Sequence, residues 1–176
     1  MRIFVIGTGR CGSYTFKKAC NHITNYTNGH ESHTGWDHQT KNLFDFPDNH
    51  IEIDCRFSYF IPLLREKYPD ALFVHLQRER SACVKSLAKR ESTMLYGMFH
   101  LGGNIHNWRR NKKLLAGIYY DETNELIRYC LYDYKDYIKI TLSSIDITFK
   151  LFWDRIGAEG DQTAALKELK IKHNKS

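Results

Sequence analysis

Residues 1–15 read MRIFVIGTGRCGSYT. The apolar run Ile3–Ile6 has the length and composition of a buried β-strand, and Gly7, Gly9 and Gly12 then mark a turn that leads into the start of a helix. Such a loop aims several backbone N–H groups at one point, with the positive end of the helix dipole behind them. The stretch therefore predicts a strand, a loop and a helix arranged to bind an anionic group.

Outward from this stretch, strand-like segments alternate with segments of helical spacing. This alternation is typical of βαβ units, so the chain is predicted to be an α/β protein with a mostly parallel sheet covered by helices on both faces. The length favours one domain, residues 1–176. Predicted strands cover 3–6, 23–27, 51–55, 71–76 and 137–141, and predicted helices cover 14–22, 57–68, 78–90, 126–134 and 145–156, with a short basic helix or arm after 161.

One segment, residues 93–113, breaks the alternation. It contains Gly97, Gly102 and Gly103 and ends in the charged run RRNKK at 109–113. Two interpretations stay open, a lid or substrate loop over a site and a surface loop without a role in binding. The charged run is likewise either a contact for a nucleotide or an anionic acceptor, or a solvated surface.

Composition limits the classes to which the protein can belong. The five cysteines have no paired spacing and no C-x-x-C motif, which favours reduced thiols and a cytoplasmic location. No signal peptide is expected before the first strand, and no apolar run reaches the roughly 18 residues of a membrane span. The formal net charge of +6 suits an acidic ligand or simple solubility, and no nucleic-acid-binding motif is recognised.

Residues 7–12 also match the G-x-G-x-x-G pattern of dinucleotide-binding oxidoreductases. In that interpretation Arg10 would crowd the approach of a pyrophosphate. The acidic residue expected about 20 positions further on would be Glu31, which is predicted to lie in a histidine-rich loop and not at the end of a strand. Both points count against a dinucleotide.

The spacing of Gly7 and Gly12 fits a Walker P-loop as well. Ser13 and Tyr14, however, stand where that motif requires Lys and Ser or Thr. An NTPase or kinase would therefore lack two of its main stabilisers of phosphate charge.

A second motif, LQRERSACVKS at 76–86, favours a third interpretation. It places Arg78 at the end of a predicted strand and Ser86 eight residues later in the next helix. Together with RCGSYT at 10–15, it resembles the sulfotransferases that use 3′-phosphoadenosine 5′-phosphosulfate (PAPS). The first motif resembles that family's loop for the 5′-phosphosulfate, and the second its site for the 3′-phosphate.

The resemblance extends more loosely over 51–64, 68–80 and 151–161, and implies a three-layer α/β fold of the P-loop type. Two departures concern its motifs. Glu79-Arg80 replaces the usual Asp-Pro, which affects the turn, and Arg10 stands where many members have Lys, which keeps the charge. The chain is also short for the family, so a small or open acceptor pocket is expected.

The resemblance implies transfer of a sulfuryl group from PAPS to an acceptor hydroxyl or amine, with 3′-phosphoadenosine 5′-phosphate (PAP) as product. Loop N–H groups and Arg10 would hold the 5′-phosphate and neutralise charge on the leaving group, while Arg78 and Ser86 would clamp the 3′-phosphate. No metal is implied, because protein cations neutralise the charge. The expected donor site comprises Arg10, Cys11, Gly12, Ser13, Tyr14, Thr15, Arg78 and Ser86.

A hydroxyl acceptor also requires a general base, which in this family is often a Glu or His after the second strand. Glu31 in GHESH at 29–33 is the best match and His33 the second candidate. A metal site was the other interpretation of this segment, but the spacing is not H-E-x-x-H. Its candidate ligands are His30, Glu31, His33, Asp37 and His38.

The acceptor itself is open, because sugar, lipid, peptide tyrosine and small alcohol all fit the two motifs. Cys11 could be a reactive thiol near a helix N-terminus or a small residue that fills the loop. The alternative to a transferase is a non-catalytic nucleotide-binding module or an NTPase-like protein.

Overall fold

A five-stranded sheet forms the centre of the protein, and all its strand pairs are parallel. The computed structural model describes residues 1–32, 44–89, 108–171 and 173. The predicted α/β fold with a parallel sheet flanked by helices is confirmed. The strands are β1 (Arg2–Ile6), β2 (Thr27–His30), β3 (His50–Ile53), β4 (Leu72–Gln77) and β5 (Tyr137–Thr141), in the order β2-β3-β1-β4-β5.

Helices cover both faces of this sheet. The helices described are α1 (Ser13–Cys20), α2 (Ile61–Lys67), α3 (Arg80–Ala88), α4 (Trp108–Leu131), α5 (Ile145–Arg155) and α6 (Gln162–Glu168). One face of the sheet packs against α1, α5 and α6, and the other against α2 and the second half of α4. A smaller apolar cluster joins α3 to the first half of α4.

The central strand β1 shows why the sheet needs both layers. Side chains alternate along a strand, so Ile3 and Val5 enter one core while Phe4 and Ile6 enter the other. All four are buried. A strand that is apolar on both sides is stable only between two helical layers, which is the usual environment of parallel sheets.

The strand connections change direction between β1 and β4. The connection from β1 runs through α1 to the β2 edge, whereas the connection from β4 leads to β5 at the opposite edge. Adjacent strands whose connections leave in opposite directions open a ligand-binding crevice at their carboxyl ends. Residues 7–12 follow β1 and Arg78 follows β4, so the topology brings both sequence motifs to this crevice.

The strand predicted at 23–27 is wrong. The second strand is instead Thr27–His30, whose sequence TNGH has little intrinsic preference for a strand. It forms because its register pairs Thr27 with His50 and His30 with Ile53. Ile23 is buried and makes only an isolated antiparallel bridge to Gly160.

The single helix predicted at 57–68 is also wrong. The chain forms a 3-10 turn at Cys55–Tyr59, and α2 begins separately at Ile61. Pro62 lies in the first turn of α2, where its missing N–H leaves no intrahelical hydrogen bond unmade. The proline therefore starts a new helix and does not lie inside a longer one.

The predicted excursion at 93–113 falls largely on residues outside the described parts of the chain. Its last residues, 108–113, form the first turns of α4, in which Asn111 has a non-helical backbone (φ −121°). The charged run thus belongs to a helix. No helix in the described ranges is both long and apolar enough to cross a bilayer.

Candidate functional site

The loop after β1 is held in a shape that two of its glycines make possible. A Cβ at Gly7 would lie 2.5 Å from the carbonyl oxygen of Leu76, so β1 and β4 approach each other here as only glycine allows. Gly12 has φ 91° and forms the N-cap of α1. The predicted sequence of strand, glycine loop and helix start is confirmed.

A hydroxyl that sequence reasoning missed fixes the first residue of this loop. Ser58 is fully buried, accepts a hydrogen bond from the Gly7 N–H (3.1 Å) and donates one to the Gly7 carbonyl oxygen (2.9 Å). Both backbone groups of Gly7 are thereby satisfied away from water. No local signal marks Ser58, because it lies 51 residues along the chain in the 3-10 turn after β3.

Arg10, Arg78 and Ser86, predicted from two separate motifs, meet at the crevice. The Arg10 Nε donates to Ser86 Oγ (3.0 Å), and Arg78 Nη1 donates to the Arg10 carbonyl oxygen (3.2 Å). Tyr120 of α4 donates its hydroxyl to the Arg78 carbonyl oxygen (2.6 Å). The Arg10 guanidinium thus lies beside the buried Ser86 hydroxyl, and the Arg78 guanidinium lies at the Arg10 backbone; guanidinium and hydroxyl groups are donors suited to phosphate oxygens.

Arg10 contacts the residue that the resemblance assigns to the 3′-phosphate. Its backbone is left-handed (φ 54°), which costs a non-glycine residue roughly 1–2 kcal/mol. The hydrogen bonds of its guanidinium and carbonyl offset that cost. In the structure the Arg10 guanidinium lies beside Ser86, and its predicted contact with the 5′-phosphate stays a prediction.

Glu79 explains how the chain tolerates Glu-Arg in place of Asp-Pro. Its carboxylate accepts hydrogen bonds from the N–H groups of Ser81 (2.7 Å) and Ala82 (2.8 Å) and so caps α3. A hydrogen bond from the Ser81 hydroxyl, together with these two N–H bonds, lowers the pKa of Glu79. Arg80, at the first helical position, turns away to pair with Asp121 (2.6 Å). The turn after β4 is thus closed by a side-chain cap.

Cys11 fills the inside of the loop. It is 2% exposed, and burial raises the pKa of its thiol to about 12, although nearby backbone N–H groups of Gly9 and Ser13 oppose the shift. A thiol with such a pKa is a poor nucleophile at neutral pH. The geometry supports the space-filling interpretation of Cys11, and all five cysteines are free thiols.

The first turn of α1 contacts the end of β2. Ser13 Oγ and His30 Nε2 share a hydrogen bond (3.2 Å), and the exposed ring of Tyr14 meets the His30 ring edge-on, with centroids 5.7 Å apart. Thr15 is half-buried. His30 is therefore a loop contact, whereas the sequence had suggested only a metal ligand for it.

Glu31 directly follows the last residue of β2 and begins the loop there, whereas Gly29 and His30, predicted as part of that loop, belong to the strand. The Glu31 N–H donates to the Ile53 carbonyl oxygen (3.1 Å) and extends the β2–β3 ladder by one bond. Its backbone is left-handed (φ 52°), and its Oε1 lies 4.0 Å from Cys55 Sγ. His33, the second candidate base, lies outside the described residues.

An ion pair with one buried partner, which the sequence did not suggest, lies beside Glu31 at the end of β3. Asp54 is buried and accepts hydrogen bonds from the Arg56 N–H (2.9 Å) and from Arg56 Nε (2.9 Å), with Nη2 on its other oxygen. These bonds raise the pKa of Arg56. In the sequence, the only sign of this ion pair is Asp54, the polar residue that ends the alternating stretch IEID at 51–54.

Within the described residues, no group of three or more His, Cys, Asp and Glu side chains could hold a metal ion. His33, Asp37 and His38, three of the five candidate ligands, lie in the undescribed range 33–43.

Comparison of the chain with models of known protein families finds no match, and neither does comparison with curated proteins. The sulfotransferase interpretation therefore rests on the two motifs and on the geometry of their residues.

Proposed function

We propose that this protein transfers a sulfuryl group from PAPS to an acceptor hydroxyl or amine. One observation carries the proposal: Arg10 is hydrogen-bonded to Ser86 (3.0 Å) and to Arg78 (3.2 Å), which lie 76 and 68 residues further along the chain. A nucleotide with phosphates on both sides of its ribose requires two linked anion subsites. The glycine loop with the N-terminus of α1 supplies one, and Arg78 with Ser86 supplies the other.

The sheet topology supports this choice over a dinucleotide. In a dinucleotide-binding fold of strand order 3-2-1-4-5-6, the strand that carries the ribose-binding acid lies beside the first strand. Here Glu31 follows β2, and β3 lies between β2 and β1. Glu31 thus follows the edge strand of the sheet, and one full strand separates that strand from β1 and its loop.

Backbone strain provides independent support. Three non-glycine residues in the described parts of the chain have positive φ, namely Arg10, Glu31 and Asn49. Two of them are the residues to which the resemblance assigns chemical roles. Strained backbone is kept where the surrounding structure enforces it, and it concentrates at functional sites.

In this proposal each group of the chain has a defined task. Glu31 accepts the proton of the acceptor hydroxyl while the hydroxyl oxygen bonds to sulfur. The bond between sulfur and the bridging phosphate oxygen breaks in the same step. Arg10 and the loop N–H groups stabilise the negative charge that develops on the departing 5′-phosphate. Arg78 and Ser86 hold the 3′-phosphate. When the phosphate binds, the hydrogen bond between Arg10 and Ser86 must be replaced by hydrogen bonds to phosphate oxygens.

Titration calorimetry with adenosine 3′,5′-bisphosphate, ATP and NAD tests the donor. We expect the bisphosphate to bind most tightly, because only it presents a 3′-phosphate to Arg78 and Ser86. Equal or tighter binding of ATP would contradict the assignment. A screen of sugar, lipid, tyrosyl-peptide and small-alcohol acceptors with labelled donor then tests transfer, and binding without transfer to any of them would favour a nucleotide-binding module.

A further inference from the structure

Glu52 is a fully buried carboxylate in the middle of β3 to which the proposed function assigns no role. Removing a carboxylate from water costs several kcal/mol, and a well-packed apolar side chain at such a position is often as stable or more so. A buried charge of this kind therefore needs an explanation in the contacts that it makes.

Those contacts hold the residue that follows Glu31. Glu52 Oε1 accepts a hydrogen bond from the Ser32 N–H (3.0 Å), and Oε2 accepts one from the Ser32 hydroxyl (2.8 Å). Oε2 also bonds His50 Nε2 (3.1 Å). Burial by itself raises the pKa of Glu52, but the hydrogen bonds from His50 and Ser32 outweigh it and hold the pKa below its ordinary value. Glu52 is therefore ionised at neutral pH, and its bonds to Ser32 are charge-assisted.

The neighbouring strand is shaped for this contact. Gly29 of β2 lies directly opposite Glu52 in the register. A Cβ at Gly29 would overlap both the Ser32 hydroxyl and the Glu52 carboxylate. The glycine thus leaves the space through which Glu52 reaches across β2 to the turn beyond it.

The turn that carries Glu31 is consequently held on both sides. His30 before it bonds Ser13 at the start of α1 (3.2 Å), and Ser32 after it makes two hydrogen bonds to Glu52. The Glu31 backbone between them is left-handed and bonds Ile53. We propose that Glu52 is a positioning residue, which fixes the Glu31 carboxylate at the carboxyl end of β2 by anchoring Ser32. This inference rests on the proposed role of Glu31 as the base.

The hydrogen-bond network that joins Ser32, Glu52 and His50 also offers a matched control, at the end remote from Ser32. His50 Nδ1 bonds the hydroxyl of Thr27 (2.8 Å), at the start of β2 and remote from the turn. Thr27→Val removes a hydroxyl from the network without touching Ser32. Ser32→Ala removes one of the two bonds from the turn, and because Ser32 is exposed the variant is expected to fold.

Steady-state kinetics and bisphosphate titration then separate positioning from general damage. For Ser32→Ala we expect kcat to fall about tenfold while the Kd of adenosine 3′,5′-bisphosphate stays within about twofold, since small displacements of a reacting group cost rate and not donor affinity. Ser32→Thr, which restores the hydroxyl, should recover most of the kcat. Glu52→Gln should lower kcat further, and Thr27→Val should leave it unchanged.

A readout that needs no turnover keeps this inference separate from the proposed function. The Glu31 amide should exchange its hydrogen about tenfold faster in Ser32→Ala and at the wild-type rate in Thr27→Val. Unchanged kcat and exchange in Ser32→Ala would overturn the positioning role, and so would equal losses of kcat and donor affinity. A wild-type protein that neither binds the bisphosphate nor transfers sulfuryl would contradict the proposed function, whereas the exchange experiment would still test the anchor.

Discussion

Two groups of functional candidates occupy different halves of the sheet, and they differ in charge and in how they are held. The first, named the donor side after its proposed role, consists of Arg10, Arg78 and Ser86 from the ends of β1 and β4 and from α3. The second, named the acceptor side after its proposed role, comprises Glu31 after β2 with the buried carboxylates Glu52 of β3 and Asp54 after it. Arg10 bonds residues 68 and 76 positions away, whereas the carboxylates of Glu52 and Asp54 bond residues at most 20 positions away.

Under the proposed function, this difference means that donor binding and turnover depend on separate parts of the structure. Affinity for an anion requires the cations of the donor side, and proton removal requires a carboxylate that the acceptor side holds in place. If this separation is correct, substitutions on the donor side change donor affinity but not proton removal, and substitutions on the acceptor side change turnover but not donor affinity. The following predictions test that separation.

The largest effect is expected from Glu31→Gln. Removing a general base typically lowers the rate by roughly 10²–10⁴-fold, because the attacking oxygen keeps its proton. Turnover with labelled PAPS measures the loss, and calorimetry with the bisphosphate supplies the control, in which the variant should match the wild type. Near-normal turnover would mean that the base is another residue.

A smaller effect concerns stability in acid, which must be known before any loss of activity at low pH is assigned to Glu31. His75 of β4 is buried and bonded to Asn124 (2.8 Å) and Tyr137 (3.2 Å), and burial lowers its pKa from 6.5 to about 4. Between these values the unfolded chain binds a proton that the folded protein excludes. Stability is therefore complete above pH 6.5 and falls by up to about 3 kcal/mol as the pH drops to about 4.

Urea denaturation at several values between pH 7 and pH 4 measures this dependence. His75→Gln, which keeps a polar group for Asn124 and cannot be protonated, should flatten the curve over this range. A curve of unchanged slope in that variant would assign the acid sensitivity to other groups. At any pH where the wild type stays folded, loss of turnover can then be attributed to the acceptor side.

The smallest effect is expected on the donor side. Arg78→Ala removes a charged hydrogen-bond donor and should weaken bisphosphate binding by on the order of 1–3 kcal/mol. Arg80→Ala is the matched control, because Arg80 follows the same strand but its exposed side chain pairs with Asp121. We expect that variant to bind within about twofold of the wild type, and equal losses in the two variants would remove Arg78 from the donor side.

The structural features that depend on short stretches of sequence were predicted well. The apolar run and glycines at the N-terminus specify a buried strand and a tight loop, because Gly7 and Gly12 occupy positions where a side chain would clash or strain the backbone. The α/β alternation specifies a parallel sheet with two helical layers. The roles of Arg10, Arg78, Ser86 and Glu31 remain predictions, although the folded chain brings the first three together.

Tertiary pairing decided the rest. The segment TNGH at 27–30 becomes a strand only because β3 offers it a register, and that pairing moves Glu31 to a strand end. Ser58 and Glu52 act on Gly7 and Ser32, which lie 51 and 20 residues away along the chain. The hydrophobic periodicity of the sequence does not predict such contacts, because these hydroxyl and carboxylate groups acquire their partners only when distant segments of the chain lie side by side. The sequence thus specified the binding loop, and the packing of β2 against β3 determined how the candidate base is held.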